Sequence, residues 1–385
     1  MAIRNYKFRM YPTESQANQL EIQFEFLRFL YNSALQERID YYNKYKKNLS
    51  YYDQSKSLPE IKKLFPEETK NIHSQILQEY LKTLDKAFSS FFRRLKNGVN
   101  PGFPRFKKFN RFVSIKFPQV ISDLSRGCIV LRKLGNEKAK LKVSGFQKEF
   151  EFVLHRVMLG TCKNVMIKKS PSGKYHVIFS CINVPKNVYP TTGNTVGIDL
   201  GLTNFLTLDD GKQFHHPKPY KTAKEKLAYR QRKLELKQKG SKNREKQRVL
   251  VAKQHERVVN IREDFQHKLT IEILDNYDTI IMEKLDIKSM LESKGYEVNK
   301  ANISEASWGG FVQKLSYKAE SADNKQLILV DPRNTTKTCS SCLFVKDKME
   351  LYERVFSCEK CGLSIDRDIN AAKNIKRLGT SLAIP

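Results

Sequence analysis

The sequence predicts a multidomain α+β/α/β chain: a small N-terminal β-barrel carrying a helical insertion, then an α/β domain interrupted by a four-cysteine zinc ribbon. Three observations carry this expectation. Six short alternating segments between residues 111 and 184 follow one another without an intervening helix. Two amphipathic helical stretches precede them, within residues 13–96. Two Cys-x-x-Cys pairs, Cys339/Cys342 and Cys358/Cys361, are separated by fifteen residues, a spacing that lets two tight knuckles aim four thiolates at one tetrahedral zinc ion.

At 385 residues the chain is long enough for two or three domains, at about 150 residues per domain. Its 40% hydrophobic content and 23 Phe suffice for real cores. Seventy Lys+Arg against 41 Asp+Glu give a formal charge of +29. A charge of that size opposes compaction unless a polyanion neutralises it, which points to nucleic acid. An anionic membrane is the rival partner, but the sequence has no long apolar run and no basic amphipathic anchor, so no membrane is expected. The N-terminus lacks a signal peptide's apolar stretch, and the cysteine count of seven is odd; both predict reduced thiols and a cytoplasmic location. Cys128, Cys162 and Cys181 sit among apolar neighbours and are read as buried small hydrophobes.

A short strand over 3–10 ends at Tyr11-Pro12, and Thr13 with Gln16 forms a capping box opening a helix that runs to about Tyr45. Its apolar stripe is Leu20, Phe24, Leu27, Tyr31, Leu35 and Ile39. A connector with breaks at Pro59 and Pro66 leads to a second helix, about 72–96, striped by Leu77, Leu81, Leu84, Phe88, Phe91 and Leu95. Both stripes are read as helix–helix core rather than a base-stacking surface. Residues 91–118 hold eight Lys/Arg, seven Phe and no acid. That mixture suits a nucleic-acid surface, with Arg105, Lys107 and Lys108 on phosphates and rings on bases; a strand with Phe inward and cations outward fits it as well. Strands are then expected near 111–117, 128–133, 139–143, 147–154, 164–170 and 174–183, with Pro171-Ser172-Gly173 as the last hairpin turn. The first strand could rejoin this barrel.

Beyond a linker over 185–194 come strands ending at Asp199 and Leu208, then a polar helical region over 218–268, read as a hairpin broken at Gly240-Ser241. Seventeen Lys/Arg against six acids give that region a net +11, more than solubility needs. A strand at 278–282 leads into Glu283, followed by a helix near 304–324 and a strand at 326–330. Three acids stand in apolar company: Asp199 after Val196-Gly197-Ile198, Glu283 after Ile280-Ile281-Met282, and Asp368 in the first turn of the terminal helix, with Asp366 as its cap. Taken singly, each has an ordinary reading as a turn former, a strand-end surface acid or a first-turn acid. Their order around a zinc ribbon and a basic helical region instead suggests a ribonuclease-H-like site. Buried carboxylates are costly unless they are paired or hold a metal. Such a site holds two Mg²⁺ ions, suited to hard oxygen ligands.

The motifs Gly197-Ile198-Asp199-Leu200-Gly201, Ile281-Met282-Glu283-Lys284-Leu285, Ser307-Trp308-Gly309 with Phe311, the two cysteine pairs and Asp366-Arg367-Asp368-Ile369-Asn370-Ala371-Ala372 together resemble the TnpB family. These are insertion-sequence proteins related to type V CRISPR effectors. The resemblance extends to Tyr11-Pro12-Thr13 and Gly102-Phe103-Pro104-Arg105-Phe106. It implies an RNA-guided DNA endonuclease with a wedge barrel (1–11 plus 111–190), a helical recognition domain (12–110), a RuvC-type domain (194–334 plus 364–385) and the zinc ribbon (335–363). It also implies catalytic, Mg²⁺-binding Asp199, Glu283 and Asp368, one structural Zn²⁺ on Cys339, Cys342, Cys358 and Cys361, and a prokaryotic host. The implied partners are a guide RNA encoded by the transposable element and double-stranded target DNA with a short flanking motif. Gln75 and Gln78 are candidates for reading that motif, since amides can read adenine edges. Leu343 departs from the family, where Gly commonly follows the second cysteine, and no longer family tail is expected after the terminal helix. The competing functions are a catalytically silent DNA-binding regulator, which loss of an acid would signal, a DNA strand-transfer transposase and a zinc-ribbon transcription factor.

Overall fold

The strand predicted at the N-terminus, β1 (Ala2–Met10), lies in the middle of a sheet rather than at its edge. The computed structural model describes residues 2–109, 112–120, 129–134, 137–292, 306–350 and 353–383. Two compact units divide the chain, Met1–Pro185 and Lys186–Pro385. Cys128, Arg111 and the start of the helix expected near 304 lie outside the described residues. Among the described residues no helix is long and apolar enough to cross a membrane.

In the first unit, β1 is joined by β2 (Ser114–Phe117), β3 (Ile129–Leu134), β4 (Glu137–Val143), β5 (Phe150–Leu154), β6 (Thr161–Lys169) and β7 (Tyr175–Val184). They form an antiparallel seven-stranded sheet in the order β2-β6-β7-β1-β5-β4-β3. The first strand therefore does rejoin the six predicted from alternation. The edge strands β2 and β3 are not hydrogen-bonded to each other among the described residues. Alternate residues turn inward: Tyr6, Phe8 and Met10 on β1 share one core with Phe152, Val177 and Phe179. That core continues into α1 (Glu14–Tyr45) and α5 (Ser74–Lys96).

The capping box of α1 is formed in both directions, with Gln16 N donating to Thr13 Oγ1 and Thr13 N to Gln16 Oε1. Gln16 also donates to the Lys148 carbonyl at 3.0 Å, tying the helix start to the turn before β5. Between the long helices the connector contains three short ones, α2 (Tyr51–Lys56), α3 (Leu58–Leu64) and α4 (Pro66–Thr69). Pro59 and Pro66 stand in their first turns, where a missing N–H costs nothing. The α5 stripe is only partly core: Leu77, Leu81 and Leu84 are buried, Phe88 and Phe91 half-buried, and Leu95 exposed.

The second unit holds β8 (Thr195–Asp199), β9 (Leu206–Leu208), β10 (Gln213–Phe214), α6 (Lys218–Glu235), α7 (Lys242–Asn276), β11 (Thr279–Glu283), α8 (Ile287–Glu292), α9 (Trp308–Glu320), β12 (Gln326–Val330) and the terminal helix α10 (Arg367–Ala383). The sheet order is β10-β9-β8-β11-β12, with β8, β11 and β12 parallel and the other two antiparallel. One face packs Ile280 and Met282 against α7 and α9; the other sets Ile281 and Val330 against Ile375 of α10. Helices cover both faces, so the three central residues of β11, Ile280–Met282, are all apolar and buried. On the α10 side, Gly197 of β8 lies so close to the helix that a Cβ there would sit 2.1 Å from the Ala372 carbonyl oxygen. Gly379 makes the reciprocal approach to Ile281.

Between β12 and α10 is the ribbon, built on β13 (Val355–Ser357) and β14 (Ser364–Asp366) around buried Phe356. Its two knuckles repeat one turn, with Leu343 N donating to Cys339 O and Gly362 N to Cys358 O, both at 3.0 Å. Both following residues are left-handed, Leu343 at φ 63° and Gly362 at φ 74°.

Two tests follow from these backbone contacts. Gly197→Ala forces a methyl into a backbone oxygen, and the second unit is expected to lose about 2–3 kcal/mol in denaturant unfolding. Leu343→Gly relieves a left-handed strain of roughly 1–2 kcal/mol and adds unfolded-state entropy costing about 0.5–1 kcal/mol. The half-exposed leucine gives up little packing, so the ribbon is expected to gain up to about 1 kcal/mol by thermal melting.

Candidate metal centres and nucleic-acid interface

The parallel register sets Ile198 beside Met282, so β8 and β11 deliver Asp199 and Glu283 to the same end of the sheet. The third acid arrives on α10. Asp366 caps that helix, its Oδ1 accepting from Asp368 N at 2.9 Å and Ile369 N at 3.1 Å. This leaves the Asp368 side chain uncommitted to capping. The point a Cβ would occupy on Gly201 lies 3.9 Å from Asp368 Oδ2, so the loop leaving β8 has room for that carboxylate. Strand, strand and helix thus bring the three predicted acids into one neighbourhood.

Their electrostatics agree. Burial pushes the Asp199 carboxyl well above the usual range, the Glu283 and Asp368 carboxylates push it further, and the Arg367 guanidinium offsets part of this. Burial also raises Glu283, against a hydrogen bond received from the Thr335 hydroxyl. Arg367 Nε lies 3.3 Å from Asp368 Oδ1. Clustered, half-desolvated carboxylates resist joint ionisation unless a cation joins them. An all-oxygen donor set of this kind fits hard divalent ions.

The ribbon cysteines are drawn in more tightly. Cys339 Sγ is 3.6 Å from Cys361 Sγ and Cys342 Sγ is 3.5 Å from Cys358 Sγ, with all four sulfurs within 4.8 Å of one another. A tetrahedron of Zn–S bonds has sulfur–sulfur edges of about 3.8 Å, and a disulfide would need about 2.05 Å; the geometry fits zinc. Among the described residues no other group of three or more His, Cys, Asp or Glu is gathered this tightly, so the three acids share a neighbourhood but stand further apart than the thiolates.

Two buried amides on α10 join the ribbon to the acids. Asn370 Oδ1 accepts from Ser340 N at 2.9 Å, while its Nδ2 donates to Thr338 O at 2.8 Å. One turn on, Asn374 Nδ2 reaches Thr335 O and Thr338 O at 2.9 and 2.6 Å. Thr335, Arg367 and these asparagines are neighbours of the candidate centres to which the sequence reading gave no role, although Arg367 and Asn370 lie in a motif it quoted. The available signal was two Asn four residues apart among alanines on an apolar face.

In the first unit Arg105, Lys107 and Lys108 are exposed. Asn32 pins the Lys107 backbone through two hydrogen bonds of 2.8 and 3.0 Å, and the Lys107 ammonium lies 5.0 Å from the Tyr31 ring centre. Gln75 and Gln78 are half-buried, and Gln75 Nε2 donates to Gln119. In the basic hairpin some cations are structural: Arg244 bonds the Leu234 and Lys237 carbonyls, and Arg230 bonds that of Leu250.

Three family profiles match. Residues 179–294 match "Probable transposase", residues 308–375 the Cas12f1-like TNB domain, and residues 1–47 a "Helix-turn-helix domain". The last stretch forms a strand and one long helix in this structure. By fold, the chain resembles a Cas12f1–sgRNA–target DNA complex protein at TM-score 0.60 and 16% identity, covering 95% of this chain and 83% of that one. It also resembles a mini-RNA-guided endonuclease, CRISPR-Cas phi3, at TM-score 0.52 and 10% identity, covering 98% and 92%. By sequence, it is 28% identical to the Escherichia coli "Putative RNA-guided DNA endonuclease InsQ", across 98% of this chain and 92% of that protein. A TnpB-like protein of Acanthamoeba polyphaga mimivirus is 26% identical, across 98% and 73%. A "Putative RNA-guided DNA endonuclease" of Streptomyces pristinaespiralis is 30% identical over 382 residues, across 98% of this chain and 89% of that protein. Likeness sustained at that level over 98% of the chain means that it belongs to the TnpB family.

Proposed function

We propose that this protein is an RNA-guided DNA endonuclease of an insertion sequence, working in the prokaryotic cytoplasm on nucleoid DNA. It hydrolyses target phosphodiesters at a RuvC-type, ribonuclease-H-like site. The observation that carries the reading is the convergence of Asp199, Glu283 and Asp368 at one end of the second unit's sheet. Near-full-length relatives bearing the name of that activity support it. All three acids are present, which disfavours a silent regulator.

Asp199, Glu283 and Asp368 would hold two Mg²⁺ ions. When bound, such a pair activates a water and stabilises the departing oxygen. Around them Thr335 orients the Glu283 carboxylate, and Arg367 restrains that of Asp368. The ribbon, 335–363, closes four thiolates on one zinc and leaves no open position for a reactive water, so its part is structural. Residues 194–334 with 364–385 form the RuvC-type domain, 1–11 with 111–190 the wedge, and 12–110 the recognition domain. Guide pairing supplies sequence specificity, and the protein reads only a short motif beside the target.

Purified protein with its co-purifying RNA and a matched plasmid tests the reading. Asp199→Ala, Glu283→Gln and Asp368→Asn are each expected to reduce cutting to background with DNA binding retained. Cleavage surviving Asp199→Ala would refute the site, and joined rather than cut products would indicate strand transfer. Metal analysis of unchelated protein should find about one zinc per chain; its absence would remove the ribbon assignment. Lys107→Ala and Lys108→Ala should weaken binding with every guide, each lowering the salt slope by about 1. Gln78→Ala should change which flanking motif is tolerated, and the allocation fails if the lysines alter motif choice and Gln78 does not.

A further inference from the structure

The C-terminal turns of α1 and α5, with the segment after α5, enclose a cavity of about 490 Å³, a volume typical of small-ligand sites. Phe88, Phe91, Phe92 and Phe103 form its aromatic wall, with ring centres 5.2–6.2 Å apart in stacked and edge-on pairs. Arg38, 7% exposed, underlies the wall: it lies over the Phe88 ring and is held by Gln54 at 2.7 Å and Asp85 at 3.1 Å. Phe92, Phe103 and Tyr42 remain 44%, 47% and 50% exposed. This is the stretch where the α5 stripe, read from the sequence as core, leaves the core.

An open aromatic concavity on a soluble chain marks a binding site, and its surroundings limit the occupant. The lining residues alternate along the chain with exposed Lys44, Lys46, Arg93, Arg94 and Lys96, and no acid occurs over 91–118. A second copy would bring another formal +29 to this rim. An apolar peptide would leave the cations unanswered. A flat ring joined to phosphates satisfies both features, because rings stack in the cavity while cations meet the flanking anions. The exposed Asn43 and Asn48 side chains at the edge can bond a base's polar atoms.

We infer that this cavity takes one unpaired nucleobase of the bound nucleic acid, stacked on Phe103 and its neighbours. The inference rests on the proposed nucleic-acid-guided activity and adds a base-capturing site to it. The base comes from the guide RNA or from a DNA strand.

Anisotropy titrations of the full-length protein with short single-stranded RNA and DNA, each also made as an abasic backbone of equal length, test it. Phe103→Ala and Phe103→Leu should weaken base-bearing strands about fivefold to a hundredfold, the range of one base–aromatic stack, and leave abasic strands unchanged. The leucine variant keeps apolar volume and so guards against misfolding. Arg105→Ala should weaken both kinds of strand alike. Loss confined to RNA assigns the base to the guide, and loss confined to DNA assigns it to the target. The inference is overturned if Phe103 substitutions weaken abasic and base-bearing strands equally, or weaken neither. A change in sedimentation of the free protein would overturn it too, by making the cavity a protein contact. Wild-type protein that binds neither nucleic acid would defeat the proposed function itself, whereas binding without base dependence defeats only the cavity.

Discussion

The second unit depends on backbone meeting backbone where α10 crosses β8. Gly197 offers no Cβ, and the Ala372 carbonyl occupies the space one would take. Gly379 makes a second close approach from the helix side, here against the Ile281 side chain of β11. Asp209 fastens the crossing: it accepts the Gly197 N–H at 2.9 Å and pairs with Lys376 at 2.7 Å. A helix held this close has little freedom to slide, and its first turn must lie beside the strand end that carries Asp199. The proposed catalytic geometry is thus set by two missing methyl groups and one aspartate that bridges strand and helix.

That precision opposes stability locally. Asp199 and Glu283 are desolvated, and Asp199 faces two further carboxylates. The cost is met by the apolar layers on either side of the sheet, where Ile280, Met282 and Ile281 are fully buried. Thr335 and the paired asparagines carry the same frame into the ribbon. The four-cysteine ribbon and the acid-bearing helix start are therefore parts of one hydrogen-bonded assembly rather than neighbours on a string.

Much of this was legible in the sequence because the informative features are local. Thr13 and Gln16 placed the start of α1, and the cysteine spacing placed both knuckles. Apolar runs broken by an acid singled out Asp199 and Glu283. What escaped was either short or distant. The connector helices α2 to α4 are four to seven residues long, below the span over which helical periodicity can be read. The central position of β1 arises from pairing with β7, some 170 residues away, and no local pattern encodes that. Burial of Asn370 and Asn374 became intelligible only once the Thr335–Ser340 carbonyls and amides were seen beside them. The Phe88–Leu95 half of α5 has the same spacing as the half that is buried, so periodicity could not separate them.

The crossing at Gly197 also has a temporal side. Asp199 and Glu283 stand on strands that are synthesised early, but Asp368 follows Asp199 by 169 positions. At roughly 5–20 residues per second, a ribosome needs about ten to thirty seconds to cover that interval. During that time the nascent chain can already expose its basic surfaces to nucleic acid while lacking the helix that completes the acid cluster. Vectorial synthesis thus gives the molecule an order of events, the basic surfaces first and the complete acid cluster last. A ribosome that stalls in the ribbon would release a product without α10, and so without the third acid of the proposed centre.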